Sequence, residues 1–150
     1  MDPIDAQLLN ILQDDCWQSL AEIGRRVGLS ISAVNERLKK LRARGDVRAY
    51  VALINPQMLG YTTCAFLHIA IEGKKDAAFV RAVLKMPEAE ECHHVSGEFG
   101  YLLKLWARGL EQLERFVDDK IREISGVIRT QTFVVLSSPK DRVTGLAAQP

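Results

Sequence analysis

Hydrophobic residues recur at intervals of three and four in three short stretches of the first 45 residues, which is the spacing of one face of a helix. Asp2, Ser19 and Ser30 precede these stretches as helix caps, and Gly28 and Gly45 follow the second and third. The apolar positions are Ile4, Leu8, Ile11 and Leu12, then Leu20, Ile23 and Val27, then Val34, Leu38 and Leu41. The pattern predicts three short helices in residues 1–45.

The link between the second and third predicted helices, around Gly28 and Leu29, is very short. So short a link makes two helices cross steeply rather than lie antiparallel. Gly24 supplies the small residue that a close crossing needs, and Val34 lies six residues after Gly28 to pack the two helices together. This spacing indicates a helix-turn-helix with a winged-helix-like arrangement.

Beyond Gly45 the sequence becomes β-prone, with partial alternation over residues 46–54. We predict a strand there that leads out of the helical domain, and Asn55-Pro56 ends it because proline lacks a backbone donor. Residues 46–61 are therefore interpreted as a strand linker, or hinge, between two domains.

The remaining chain follows the order β-α-β-β-α-β over residues 62–138. Predicted strands cover 62–72, 88–96, 101–107 and 127–136, one helix follows an N-cap at Asp76, and a second covers 110–124. This order is typical of a ferredoxin-like sandwich with an antiparallel sheet, so the fold class is α+β. Residues 139–150, rich in proline and glycine, are interpreted as a C-terminal tail that is poorly ordered or contacts a partner.

Both helices of such a sandwich cover the same face of the sheet. We expect the other face to carry Phe66, Leu103, Leu105 or their neighbours, together with alternate residues of the last strand. Because an apolar face of that size seldom stays exposed, packing against a second copy is the simplest solution. A two-fold dimer would also present two recognition helices to a palindromic site with half-sites about one DNA turn apart.

The charge is unevenly distributed along the chain. The formal net charge is only +1, yet eight basic and two acidic residues lie between Arg25 and Arg48. Such a patch attracts phosphates, and a solvated helix face is the alternative interpretation. On the third helix, base edges are within reach of Ser32, Ala33, Asn35, Glu36 and Arg37, while Arg25, Arg26, Lys39 and Lys40 suit phosphates, and Ser30 and Arg48 complete the expected DNA contacts.

Other classes of protein are disfavoured by what the sequence lacks. No apolar run approaches membrane-spanning length and the N-terminus does not resemble a secretion signal, so we expect a cytoplasmic protein without membrane contact. The widely spaced Cys16, Cys64 and Cys92 predict neither disulfides nor a zinc knuckle, and the adjacent His93 and His94 point to opposite faces of a strand. We find no catalytic motif and predict no metal site and no enzyme activity.

Four stretches, 5–14, 20–30, 36–41 and 91–104, resemble the leucine-responsive/asparagine-regulator (Lrp/AsnC, or feast/famine) family in the family's order. The resemblance covers essentially residues 1–138. It implies a transcription regulator that binds double-stranded DNA, assembles dimers into an octamer of four dimers, and senses a small effector, usually an amino acid, without another cofactor.

In this family the effector lies between subunits, against a glycine loop and the last strand. Carried onto this sequence, the resemblance implies a site formed by Ser96, Gly97, Glu98, Phe99, Gly100, Tyr101, Thr130 and Thr132. Gly100 stands where the family usually has an acidic residue, so Glu98 could take that role or the effector could differ. Two alternatives remain: an enzyme similar to siroheme decarboxylases, whose histidine- and arginine-rich hairpin residues 98–101 do not match, and an effector-sensing assembly module without specific DNA binding.

Overall fold

The computed structural model describes residues 2–141. The chain divides into two compact units, with the boundary between Leu53 and Ile54. The first unit, the helical unit, contains α1 (Pro3–Asp14), α2 (Leu20–Val27) and α3 (Ile31–Arg44). The second, the αβ unit, contains a 3₁₀ turn (Pro56–Leu59), β1 (Thr63–Ile71), α4 (Asp76–Val83), β2 (Ala89–His94), β3 (Tyr101–Ala107), α5 (Leu110–Arg115), a π-helical segment (Phe116–Ile121) and β4 (Val127–Val134). Of the expected tail, residues 142–150 lie outside the described residues.

The helices of the helical unit begin and end at the residues that the sequence predicts. The Asp2 carboxylate accepts a hydrogen bond from the Ile4 amide at 2.7 Å, and Ser19 and Glu22 cap α2 reciprocally. Gly28, at φ 70°, ends α2 in the left-handed conformation that glycine adopts without steric cost. Local hydrogen-bonding groups therefore fix the limits of these helices.

Gly24 lets α2 and α3 approach closely. A Cβ atom at this position would lie 2.5 Å from the carbonyl oxygen of Leu29, which no ordinary packing tolerates. The core beneath the crossing consists of Leu8, Ile11, Ile23, Val34 and Leu41. The predicted helix-turn-helix is confirmed, with its steep joint made possible by the missing side chain at Gly24.

The prediction of a strand at residues 46–54 is wrong for the single chain. No strand is assigned between Gly45 and the 3₁₀ turn, and no described strand pairs with this segment. Its β-prone side chains are not enough, because a strand also needs a neighbour for its backbone hydrogen bonds. Tyr50, Val51 and Leu53 consequently remain largely exposed.

The αβ unit has one antiparallel sheet in the order β2-β3-β1-β4, which confirms the ferredoxin-like α+β fold. Helix residues Phe79, Val83, Leu113 and Ile121 pack on one sheet face. That face includes Ala65, Leu67, Ile69, Leu103, Leu105 and Ala107. We call the opposite side the open face; by strand register it includes Phe66, His68, Leu102, Lys104, Trp106, Arg129, Gln131 and Phe133.

Placing Leu103 and Leu105 on the open face was an error of register. Both side chains are fully buried beneath the helices, whereas their neighbours Leu102, Lys104 and Trp106 point the other way. A strand alternates with a period of two, so a shift of one residue exchanges its two faces. The expectation for Phe66 and for alternate residues of the last strand agrees with the structure.

Both helices of the αβ unit differ from prediction in detail. Asp76 is the first residue of α4 rather than its N-cap, which is Lys75. The predicted helix over 110–124 changes after Arg115 into a π-helical turn, in which the Arg122 amide donates to the Val117 carbonyl at 2.9 Å. The wider turn directs Phe116, Val117 and Ile121 into the same core.

Candidate functional site

Helix α3 has a buried side and an outward side. Val34 and Leu41 are fully buried against the other helices. Ser32, Glu36, Lys39 and Lys40 are exposed, Ala33 and Asn35 are partly exposed, and the Ser30 hydroxyl accepts from the Ala33 amide at 3.2 Å as the cap. Most residues expected to contact DNA therefore share the outward side of a helix held from behind by the core.

Arg37, which the sequence predicts to reach base edges, is bound by two carboxylates of the chain itself. Its Nη1 donates to Oδ2 of Asp2 and to Oδ1 of Asp5, both at 2.8 Å. The hydrogen bond from Arg37 to Asp2 is the main reason why the pKa of Asp2 lies below its usual value. Arg37 thus ties α3 to the first turn of α1.

Arg44, near the end of α3, makes the same kind of connection. Its Nη2 donates to Oδ2 of Asp5 at 3.2 Å, and its Nε donates to Asp46 at 2.8 Å. Asp5, 6% exposed, is the buried charged residue of the described chain. We call Asp2, Asp5, Arg37, Arg44 and Asp46 the acidic clamp.

The other basic side chains of the helical unit have fewer partners within the described chain. Within the described chain, Lys40, Arg42 and Arg48 make no hydrogen bond or ion pair, and Arg25 is exposed. Arg26 donates to Gln18 at 3.0 Å, and Lys39 lies 3.4 Å from Glu36. Arg42 is missing from the predicted contacts, although its position three residues after Lys39 places it on the same side of the helix.

The glycine loop between β2 and β3, residues 95–100, is closed at its base. The Val95 amide donates to the Gly100 carbonyl at 2.8 Å, and Gly97 and Gly100 have φ angles of 129° and 35°. Residues other than glycine rarely adopt such φ angles, so the conformation of the loop depends on glycine at these two positions.

Phe99 folds from this loop onto the open face. Its ring lies edge-on to His68, with centroids 5.5 Å apart, and the Arg129 guanidinium lies 4.2 Å above its centre. Glu98 forms an ion pair with the same arginine. The sequence prediction missed Arg129 and His68 as loop contacts, although both share a face with Phe66 in the strand register.

Three of the predicted effector residues, Tyr101, Thr130 and Thr132, lie on the helix-covered side of the sheet. Tyr101 is buried against Phe79, and burial, followed by its hydrogen bond with Asp76, raises its pKa. Thr130 and Thr132 pair with Ile69 and Leu67 in the register, so their side chains share that side. One chain therefore does not bring Thr130, Thr132 and Phe99 into a single pocket.

Charged side chains at the β2 edge of the open face are paired with one another. Lys104 lies 3.0 Å from Glu90 and 3.3 Å from Glu91, and Trp106 donates to Glu90 at 3.0 Å. His93 lies 2.9 Å from Glu91. Over the described residues, no group of three side chains is suited to hold a metal ion, and no helix is long and apolar enough to cross a bilayer.

Sequence profiles of two domains match the chain. An AsnC-type helix-turn-helix domain matches residues 1–42, and an Lrp/AsnC ligand binding domain matches residues 64–144. These segments correspond to the helices that carry the acidic clamp and to the sheet that carries the glycine loop.

Curated relatives align over nearly the whole chain. A proline dehydrogenase transcriptional activator from Rhizobium radiobacter is 35% identical and covers 94% of this chain and 92% of its own. The leucine-responsive regulatory protein of Escherichia coli is 36% identical over 93% of this chain and 87% of its own. These relatives are transcription regulators rather than enzymes.

Solved structures agree with this assignment. A transcriptional regulator of Neisseria meningitidis in complex with L-methionine has a TM-score of 0.91 and 32% identity, covering 100% of this chain and 96% of its own. A feast or famine regulatory protein of Mycobacterium tuberculosis, also complexed with L-methionine, has a TM-score of 0.89 and 31% identity, covering 96% of this chain and 97% of its own. With its DNA-binding helix-turn-helix and its ligand-binding domain, this chain belongs to the Lrp/AsnC family of transcription regulators.

Proposed function

We propose that this regulator binds specific DNA sites by inserting α3 into the major groove. The observation that carries the proposal is the outward side of α3, where Lys40 and Arg42 have no partner within the described chain. Ser32, Ala33, Asn35 and Glu36 lie toward the start of the helix, where side chains reach base edges in helix-turn-helix complexes. Arg25, Arg26, Ser30, Lys39, Lys40 and Arg48 supply the phosphate contacts that set the register.

The double variant Lys39→Ala/Lys40→Ala tests this placement of the DNA-binding surface. Losing two phosphate contacts lowers affinity for duplex DNA at low salt and reduces the slope of log K against log salt by about 2. Lys74→Ala/Lys85→Ala, which removes the same charge from exposed positions of the αβ unit, is the control. Equal affinities and slopes for the two double variants would rule out α3 as the DNA-contacting helix.

We propose further that the effector is an amino acid that binds at the glycine loop. Glycines at 97 and 100 leave backbone amides open to a carboxylate, and Glu98 offers a partner for an ammonium group. Two neighbouring structures contain L-methionine, and one relative is named for its response to leucine. Because Tyr101, Thr130 and Thr132 lie on the other side of the sheet, we propose that a second subunit completes the site.

Calorimetric titration with L-methionine and L-leucine, with D-methionine as the stereochemical control, measures this binding directly. Gly97→Val blocks the approach of the ligand and strains the loop, so we expect it to abolish heat of binding while duplex affinity stays unchanged. Gly73→Val is the matched variant, because it alters another open, positive-φ loop glycine. Equal titrations for the two variants would place the effector elsewhere.

We propose that the active form is a homo-oligomer built from two-fold dimers, with an octamer of four dimers as its full assembly. The half-buried Phe66 and the exposed Phe133 on the open face support association there. Such a dimer would present two α3 helices to a palindromic operator.

A further inference from the structure

We infer that Asp5 is a positioning residue for DNA recognition, acting through the recognition helix without touching DNA itself. This inference rests on the proposed role of α3. Asp5 lies in the first turn of α1, and its two carboxylate oxygens bind different arginines of α3. Among residues 2–141, it is the one place in the helical unit where a buried charge joins two helices.

The two arginines hold α3 at separate points along its length. Arg37 and Arg44 are seven residues apart, which is two helical turns or about 10 Å along the axis. A single carboxylate that binds both fixes the rotation of α3 about its own axis as well as its distance from α1. Rotation matters most for recognition, because it decides which side chains of the outward face meet the base edges.

The clamp is anchored at both ends by further acids. Asp2 caps α1 and binds Arg37 with its other oxygen, and Asp46 follows α3 and binds Arg44 at 2.8 Å. Both of these side chains are partly exposed, whereas Asp5 is almost completely buried. Ion pairs between exposed groups contribute little, so Asp5 is the member on which the geometry depends.

If Asp5 positions α3, removing its charge should change the affinity for DNA in the opposite direction from the change expected if Asp5 acts only through its charge. Asp5→Asn weakens the hydrogen bonds to Arg37 and Arg44. It also removes one negative charge, so the net charge of a surface that attracts phosphates rises by one. Simple electrostatics then raises affinity for every duplex. Loss of position instead lowers affinity for the specific site alone, because only that complex depends on the orientation of α3.

The experiment first obtains a preferred duplex by in vitro selection with the native full-length chain. Affinities for this duplex and for one of scrambled sequence are then measured over a range of salt concentrations. For Asp5→Asn we expect about a tenfold loss on the selected duplex. On the scrambled duplex we expect equal or tighter binding. Asp14→Asn, which adds the same charge at an exposed position of α1, should keep the native ratio of the two affinities.

Arg37→Met separates positioning from direct contact. If Arg37 acts only through the clamp, this variant loses affinity for the selected duplex and keeps the native salt slope. If Arg37 binds a phosphate, affinity for both duplexes falls and the slope shrinks by about 1. That second outcome would overturn the clamp as the reason for the effect.

A melting curve establishes whether each variant is folded. If Asp5→Asn does not fold, Asp2→Asn replaces it in the experiment. It removes one exposed contact of Arg37, so the same pattern should appear in weaker form. An unchanged ratio of affinities in a folded Asp5→Asn or, failing that, in Asp2→Asn would overturn the inference and leave DNA binding intact. Failure of the native chain to enrich any sequence would instead overturn the proposed function and the inference with it.

Discussion

The three-helix core of the helical unit and the sheet of the αβ unit differ in how completely one chain covers them. The helical unit surrounds its core with three helices, and its buried charge, Asp5, is satisfied by two arginines. The αβ unit covers one side of its sheet and leaves Phe133 45% exposed on the other. On that other side, Lys104 and Arg129 form ion pairs with glutamates.

This difference suggests a division of labour. Three helices whose core is closed within one chain can present a rigid helix to DNA, while a sheet with an uncovered face gains stability by association. Substitutions in the helical unit should therefore act on DNA binding, and substitutions on the open face should act on assembly.

Gly24→Val should have the largest effect on stability. Its Cβ would meet the Leu29 carbonyl oxygen at 2.5 Å, so α2 and α3 must separate. We expect the helical unit to lose about 3 kcal/mol or more and DNA binding to disappear. Trp106 fluorescence in a Trp17→Phe background follows the αβ unit, and circular dichroism follows the helices.

Gly28→Asn is the control for Gly24→Val. Gly28 has a positive φ and open space around it, and asparagine tolerates that conformation, so the cost should stay below about 1 kcal/mol. A matching shift of the Trp106 transition in Gly24→Val would show that the two units do not unfold independently.

Phe133→Lys should have an intermediate effect, confined to assembly. The substitution places a charge beside His68 on the open face and should weaken self-association by about tenfold or more, or about 1.4 kcal/mol. Thr132→Lys, one residue away on the other side of β4, is the control. Sedimentation velocity over a dilution series measures both variants, and equal association would exclude the open face as the interface.

The smallest expected effect is the loss of stability of the αβ unit at acid pH, which results from protonation of Glu91. The hydrogen bond with His93, and then Lys104, hold its pKa below the usual 4.5 despite partial burial. Its contribution is therefore present above that value and is lost as the pH falls through the lower folded-state pKa. We expect a loss of at most about 1 kcal/mol because the pair is exposed.

Urea unfolding of the αβ unit at pH values between about 5 and 3 measures this dependence. Glu91→Gln should flatten it, whereas Glu123→Gln, at an exposed position, should leave it unchanged. A native slope in Glu91→Gln would assign the acid sensitivity to other carboxylates.

What could be predicted from the sequence depended on how local its physical cause is. The caps at Asp2, Ser19 and Ser30 act within a few residues, so the helices follow from the sequence. Arg37 could not be placed, because its partner Asp5 is 32 residues away and joins it only after folding. A basic residue on an amphipathic helix looks the same in sequence whether it contacts phosphate or a buried carboxylate.

The αβ unit shows the same limit for strands. A period of two gives β3 two faces, but only the packing of the helices on the sheet shows that Leu103 faces them. Residues 46–54 have strand-forming side chains but no partner strand in the described chain. Most of the loop proposed to bind the effector could be located by resemblance, whereas its contacts with His68 and Arg129 required the register of the sheet.

The hydrogen bond from Val95 to Gly100 also bears on how such a protein can diversify. Because the bond closes the loop at its base, the tip residues Ser96, Glu98 and Phe99 can be exchanged without shifting the register of β2 against β3, while Gly97 is kept. New chemical preferences could thus arise through substitutions at the tip, while the architecture inherited with the sheet is retained.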